Sequence, residues 1–154
     1  MNAYTSNWLM EAKTSIPRLP CTCASLRRAS RILTQRYEEA LRSVGLRSSQ
    51  FTLLQALDLK GEITQGNLGR ALAMDITTLT RTLAIMARSG WIARRRGKDR
   101  REWRFRLTPA GTAQLKRAYP HWASAQAQMR EKLGKPRWEA LQQIADEVTS
   151  ALAD

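Results

Sequence analysis

At 154 residues the chain is about one domain long, enough to bury roughly two-thirds of its unfolded surface. Its 26 Lys and Arg against 13 Asp and Glu leave a formal net charge of +13, most of it on arginine, whose planar guanidinium grips phosphate in a bidentate way. That balance points to a polyanion, nucleic acid ahead of an anionic membrane surface; two cysteines one residue apart do not make a secreted disulfide scaffold, and the one histidine has no second histidine and no carboxylate cluster at metal-ligand spacing.

The opening "MNAYTSNWLMEAK" lacks a basic region followed by an apolar stretch, and no run of about eighteen apolar residues occurs, so a cytoplasmic protein with no membrane segment is expected. Residues 1–20, ending in "SIPRLP", read as a flexible leader. Apolar residues then recur at Leu26, Ala29, Leu33, Tyr37, Ala40 or Leu41, and Val44, which is helical spacing closed by Gly45. Ser48 or Ser49 can cap a second helix lined by Phe51, Leu54 and Leu57. A short strand at "EIT" leads to Thr64, the N-cap of a third helix with Leu68, Ala71 and Leu72.

The fourth helix, about 75–89, is the most informative. Asp75 caps it, Gly90 ends it, and Ile76, Leu79, Leu83 and Met86 form its core face. The opposite face carries Thr77, Arg81, Ala84 and Arg88, with Thr78 and Thr80 on the flanks. Small hydroxyls, an alanine and arginines suit a major groove, although an ordinary solvated face has the same look. The next segment, "WIARRRGKDRREWRFRL", is dense in cations: Arg94, Arg95, Arg96, Lys98, Arg100, Arg101, Arg104 and Arg106 against Asp99 and Glu102. Trp103, Phe105 and Leu107 alternate with Arg104 and Arg106, and "GKDR" signals a turn. A hairpin with a cationic tip directly after a groove-sized helix makes a winged helix-turn-helix, the wing spanning about 91–107 and reaching a minor groove. The basic side chains singled out for DNA are Arg88, Arg94, Arg96, Lys98, Arg100 and Arg101.

In "LTPAG", Thr108 caps a fifth helix with Pro109 at its first position. Leu115, Ala118, Trp122, Ala125 or Gln126, Met129 and Leu133 carry an apolar stripe to Gly134, with a kink expected at Pro120. A sixth helix starts at Pro136 and sets Trp138, Leu141, Ala145, Val148 and Leu152 on one face. The expectation is a mainly α, α+β fold in one compact domain: a winged helix-turn-helix at 48–107, and a helical region, 21–47 with 108–154. That helical region either dimerises about a two-fold axis or packs within its own chain. His121 reads as a surface or packing residue.

The segments "GLRSSQFTLLQAL", "EITQGNLGRALAMDITTLTRTLAIMARSGWIARR" and "DRREWRFRLTPAG", in this order, resemble the MarR family of bacterial transcription regulators. The resemblance implies a homodimer on a pseudo-palindromic operator in double-stranded DNA, usually a repressor, that an effector releases. Carried across, Thr77, Thr78, Thr80 and Arg81 become base and phosphate contacts, Arg101 the wing arginine of the minor groove, and Asp99 its ion-pair partner. "CASLRRASR" is similar to the pattern of a branch that senses organic hydroperoxides, with Cys23 as the reactive cysteine and Tyr37 as one tyrosine that hydrogen-bonds it. Arg27 and Ser48 stand where that branch keeps other tyrosines.

A helix N-terminus and Arg27 one turn along would both favour negative charge on Cys23, with Cys21 as resolving thiol if the backbone there is extended. The other reading is that both cysteines simply pack. The family's second mode is a small aromatic ligand; Tyr37, Phe51 and Trp122, with Trp8 and Trp138, are candidate walls, and aromatics at this spacing also fit a core. An enzyme fares poorly without a Gly-rich phosphate loop, a zinc-binding pair or a Ser–His–Asp set, and no cofactor is expected. A sequence-independent architectural DNA binder fits the charge as well as a regulator does, and the presented Thr and Arg side chains favour the regulator.

Overall fold

The computed structural model describes residues 17–99 and 101–152. Arg100, Trp8 and most of the leader lie outside the described residues. The elements run α1 (Thr22–Leu41), a 3₁₀ turn (Arg42–Val44), α2 (Ser48–Lys60), β1 (Ile63–Thr64), α3 (Gln65–Ala71), α4 (Ile76–Arg88), β2 (Ile92–Arg96), β3 (Trp103–Leu107), α5 (Pro109–Leu133) and α6 (Lys135–Leu152). This is the expected winged helix-turn-helix, mainly helical with one small antiparallel sheet in the order β1-β3-β2. Among the described residues no helix is long and apolar enough to cross a membrane. Two compact units divide the chain, one up to Gln35 and one from Arg36 onward.

In the first unit, the residues ahead of α1 fold back on its opening turns. Arg28 donates to the Pro17 carbonyl at 3.0 Å, the Ser25 hydroxyl to the Leu19 carbonyl, and the Ser25 amide to the Cys21 carbonyl at 3.1 Å. Leu26 and Ile32 leave nearly half of their surface exposed.

The second unit holds the core. Phe51, Leu53, Leu54 and Leu57 of α2 meet Leu68 of α3, Leu79, Leu83 and Met86 of α4, Ile92 and Phe105 of the sheet, and Leu115 and Ala118 of α5. Each fully buried leucine contributes about 1.5–3 kcal/mol of apolar transfer, so α2, with three of them, anchors this unit. Its N-cap is Arg47 rather than Ser48 or Ser49. Glu38 of α1 explains the shift: it accepts both the amide and the hydroxyl of Ser48 at 2.8 Å, drawing Ser48 into the first turn, while Gln50 Oε1 takes the Arg47 amide at 2.9 Å.

Helix α5 runs unbroken through Pro120 to Leu133. On α6 only Trp138 of the expected face is buried; Ala145, Val148 and Leu152 face solvent in the single chain, as does Ile144. Intrachain packing therefore does not use this helix beyond its first turns.

The "LTPAG" corner joins wing, α4 and α5. Thr108 donates its hydroxyl to the Gly90 carbonyl at 2.6 Å, accepts the Gly111 amide at 3.0 Å, and gives its own amide to the Trp91 carbonyl at 3.0 Å. Gly111 is buried so close to that carbonyl that a Cβ would overlap the Trp91 oxygen outright. The obstacle is backbone and cannot rotate away. Gly111→Ala is therefore expected to destabilise the fold by at least about 2 kcal/mol, read as a lower thermal midpoint; an unchanged midpoint would mean that the corner yields.

Candidate nucleic-acid interface

Thr64 caps α3 by accepting the Asn67 amide at 3.2 Å. Gly69 then lets α3 approach α4, since a Cβ there would come within 3.3 Å of Leu79 Cδ2. The connecting turn holds Ala73 at φ 48, and Asp75 opens α4 by accepting the Thr78 amide at 2.9 Å. Leu79, Leu83 and Met86 face the core as expected. Ile76 does not: it is 60% exposed, because α3 backs α4 at Leu79 and the first residue of the helix projects beyond that contact. Thr77, Arg81, Ala84 and Arg88 form an exposed row. Thr78 is committed to Asp75 through its hydroxyl and its amide. Thr80 staples the motif, donating to the Ile76 carbonyl at 2.7 Å and accepting from Gln65 of α3 at 2.6 Å. Of the four residues carried over from the family, Thr77 and Arg81 are the two whose side chains make no hydrogen bond within the described residues.

The wing is β2 and β3, paired from Ile92↔Leu107 to Arg96↔Trp103. Strand alternation sorts its arginines into two sets. Arg94 and Arg96 share a side with Trp103, and their guanidinium carbons lie 4.7 and 3.9 Å from its ring centroid. Such stacking holds both cations extended along the wing. Arg95 and Arg104 sit opposite one another on the other side and converge on Glu62, Arg95 through both Glu62 oxygens (2.7 Å from Nε) and Arg104 at 3.8 Å. At the tip, Lys98 and Arg101 are exposed. Asp99 does not ion-pair with the Arg101 guanidinium as expected; its Oδ1 accepts the Arg101 backbone amide at 2.9 Å and its carbonyl the Glu102 amide at 3.0 Å. A short acidic side chain closes on the amide two residues on more readily than on a long guanidinium, leaving that cation pointing outward. Glu62 and Trp103 as supports of the wing escaped sequence reasoning. Nothing local links Glu62 to Arg95, 33 positions away, whereas a period of two over 92–96 is the signal that would have set Arg94 and Arg96 on one side.

Both cysteines are free and exposed. The helix begins at Thr22, so the backbone between the thiols is helical rather than extended, and residues two apart do not face one another there. A bridge requires the first turn to unwind. Arg27 donates to Cys23 Sγ at 3.5 Å. Tyr37, in the second unit, donates its hydroxyl to Gln126 at 2.8 Å, and burial pushes its pKa up. Phe51 is buried and stacks at a tilt on Trp122, 5.6 Å between centroids. Trp122 also lines a cleft of about 350 Å³ between α5 and α6 with Tyr119, Gln126, Arg130, Trp138 and Glu139. His121 is exposed on α5.

The sequence model of the MarR family matches residues 46–103, which is the helix-turn-helix and wing. A transcriptional regulator from Mycobacterium tuberculosis, MosR, solved in complex with DNA, is 35% identical, with 85% of this chain and 95% of that one covered and a TM-score of 0.76. The chain belongs to the MarR family. An uncharacterized HTH-type transcriptional regulator of Bacillus subtilis, YwoH, is 34% identical over 77 residues, 50% of this chain; the match spans 56% of YwoH. The repressor CouR, bound to a 23-mer DNA duplex, shares the fold at 24% identity, with a TM-score of 0.76 over 87% of this chain and 99% of that one.

Three carboxylates stabilise this MarR-family architecture in their ionised form. The Arg95 hydrogen bond, with the charges of Arg95, Arg104 and Arg106, holds Glu62 below the ordinary glutamate value. The Thr78 hydroxyl and amide do the same for Asp75. At Glu38 partial burial works upward, but hydrogen bonds from Ser48 and Arg47 together outweigh it. Because each folded-state pKa lies below its unfolded one, the stability these groups contribute is complete at neutral pH and is lost as pH falls through the folded values. Urea midpoints are therefore expected to drop as pH falls below the ordinary values of 4.5 for glutamate and 3.8 for aspartate, less steeply in Glu62→Gln. A Glu62→Gln profile parallel to that of the parent would remove Glu62 from the account.

Proposed function

We propose that the chain is a homodimeric, sequence-specific DNA-binding transcription regulator of the cytoplasm that represses by occupying a pseudo-palindromic operator. One observation carries the reading: α4 exposes Thr77, Arg81 and Arg88 in a row, directly followed by a wing whose Arg94, Arg96, Lys98 and Arg101 are exposed. The helix reads base edges in the major groove, Arg81 being suited to guanine, and Arg101 enters the adjacent minor groove. Residues 48–107 form the DNA-binding region. Residues 21–47 and 108–154 form the dimerisation region, supported by the uncovered apolar residues Ile144, Val148 and Leu152 of α6. A two-fold axis through that region gives two reading heads and hence two half-sites.

Arg101→Ala is expected to weaken binding about tenfold across all sequences and to lower the salt slope by about one. Arg81→Ala costs about 1–3 kcal/mol and relaxes preference at one base pair. Competition titrations with operator and scrambled DNA read both, and unchanged affinity in both variants would overturn the docking.

Release by oxidation is favoured over release by a small aromatic ligand because Cys23 is exposed with the Arg27 guanidinium on its sulfur. The Cys23 thiolate attacks the O–O bond of an organic hydroperoxide, giving the sulfenic acid and an alcohol; the Cys21 thiol then displaces water to close a disulfide. That closure unwinds the first turn of α1. Cys23→Ser should bind DNA as the parent does when reduced and ignore hydroperoxide; equal loss of binding in both proteins after treatment would assign the response elsewhere.

A further inference from the structure

We propose that Ile76 reads sequence: its side chain packs on the C5-methyl group of one thymine in each half-site. This inference rests on the DNA-binding reading given under Proposed function. Spacing alone assigns Ile76 to the core with Leu79, Leu83 and Met86, yet those three are at most 2% exposed and Ile76 is 60% exposed. Ile76 is the first residue of α4, and helical side chains tilt toward the N-terminus, so this one points off the end of the helix that enters the groove first.

Its surroundings select the partner. Thr77 follows Ile76 as the first hydroxyl of the presented row, and the Ile76 carbonyl accepts the Thr80 hydroxyl at 2.7 Å, so the exposed apolar group adjoins polar groups at the start of the helix. An apolar protein surface would have to desolvate those groups, whereas a duplex meets them with phosphates and base edges. Helix stability does not call for isoleucine there either. A β-branched residue is a middling helix former, and the first turn favours acidic side chains, which would repel phosphate. The only apolar group on the floor of the major groove is the thymine methyl. Contact with it favours T·A over C·G at one position, in addition to what the hydrogen bonds of Thr77 and Arg81 read.

The test begins by selecting a binding site for the full-length chain from random duplex DNA, then replaces each thymine of that site by deoxyuridine, which pairs identically but lacks the methyl. One symmetry-related pair of thymines is expected to show a loss of about fourfold per half-site, the burial of one methyl group, and about fifteenfold when both are replaced. In Ile76→Ala, with an unchanged thermal midpoint because the residue is exposed, the site is still bound and the deoxyuridine effect vanishes. A selected site at which no thymine responds, or a response that persists in Ile76→Ala, overturns the assignment while leaving the DNA-binding reading standing. Failure to select any sequence overturns both.

Discussion

Crowding of like charge is the constraint around which the functional half of this protein is built. Eight cations fall within residues 91–107, against two acids, and left to mutual repulsion they would splay the hairpin that carries them. Antiparallel pairing resolves this by sending neighbours to opposite faces. On one face Arg95 and Arg104 share the single carboxylate of Glu62, which halves their joint charge, stands just before β1 and so ties the hairpin to the third strand. On the other, Arg94 and Arg96 lie against Trp103, where an aromatic ring offsets their charge without consuming it. The consequence is that strand alternation gives the wing two differently supported sets of arginines, one held by a carboxylate and the other by an aromatic ring.

The wing would be of little use if it floated relative to α4. Thr108 prevents that by bonding to both Gly90 and Trp91, the two residues linking α4 to β2, and by opening α5 with the same hydroxyl. Gly111 is what allows the approach, so the residues of "LTPAG" act as one joint. On the other side of α4, the Gln65–Thr80 hydrogen bond and the tight Gly69–Leu79 contact fix α3. Reading helix and wing thus share a rigid mount, the arrangement in which specificity costs least conformational entropy.

Much of this was legible in the chain itself, because the decisive signals are local. Asp75, Thr64 and Thr108 are caps whose hydrogen bonds span three residues; the alternation from Trp103 to Leu107 is a property of consecutive positions; Gly45 and Gly90 mark helix ends by conformation alone. What escaped is non-local or depends on where an element ends. Glu62 and Arg95 meet only because the sheet order is β1-β3-β2. Glu38 moved the α2 cap by one residue from ten positions upstream. Ile76 fits the apolar period perfectly and is exposed, because periodicity cannot tell that the neighbouring helix stops short of the first turn. Asp99 was assigned an ion pair by resemblance, whereas the geometry of a tight turn directs its carboxylate to a backbone amide.

All of these features converge on one claim, that the cationic surface discriminates among sequences rather than merely attracting DNA. The most direct measurement is the affinity of the full-length chain for DNA from immediately upstream of its own coding sequence against scrambled duplex of the same length, at one fixed salt concentration. The account predicts a preference of about a thousandfold or more, with protection over two half-sites about one helical turn apart. Equal affinity for both duplexes would contradict it and leave the charge, the wing and the reading helix as parts of an architectural DNA binder.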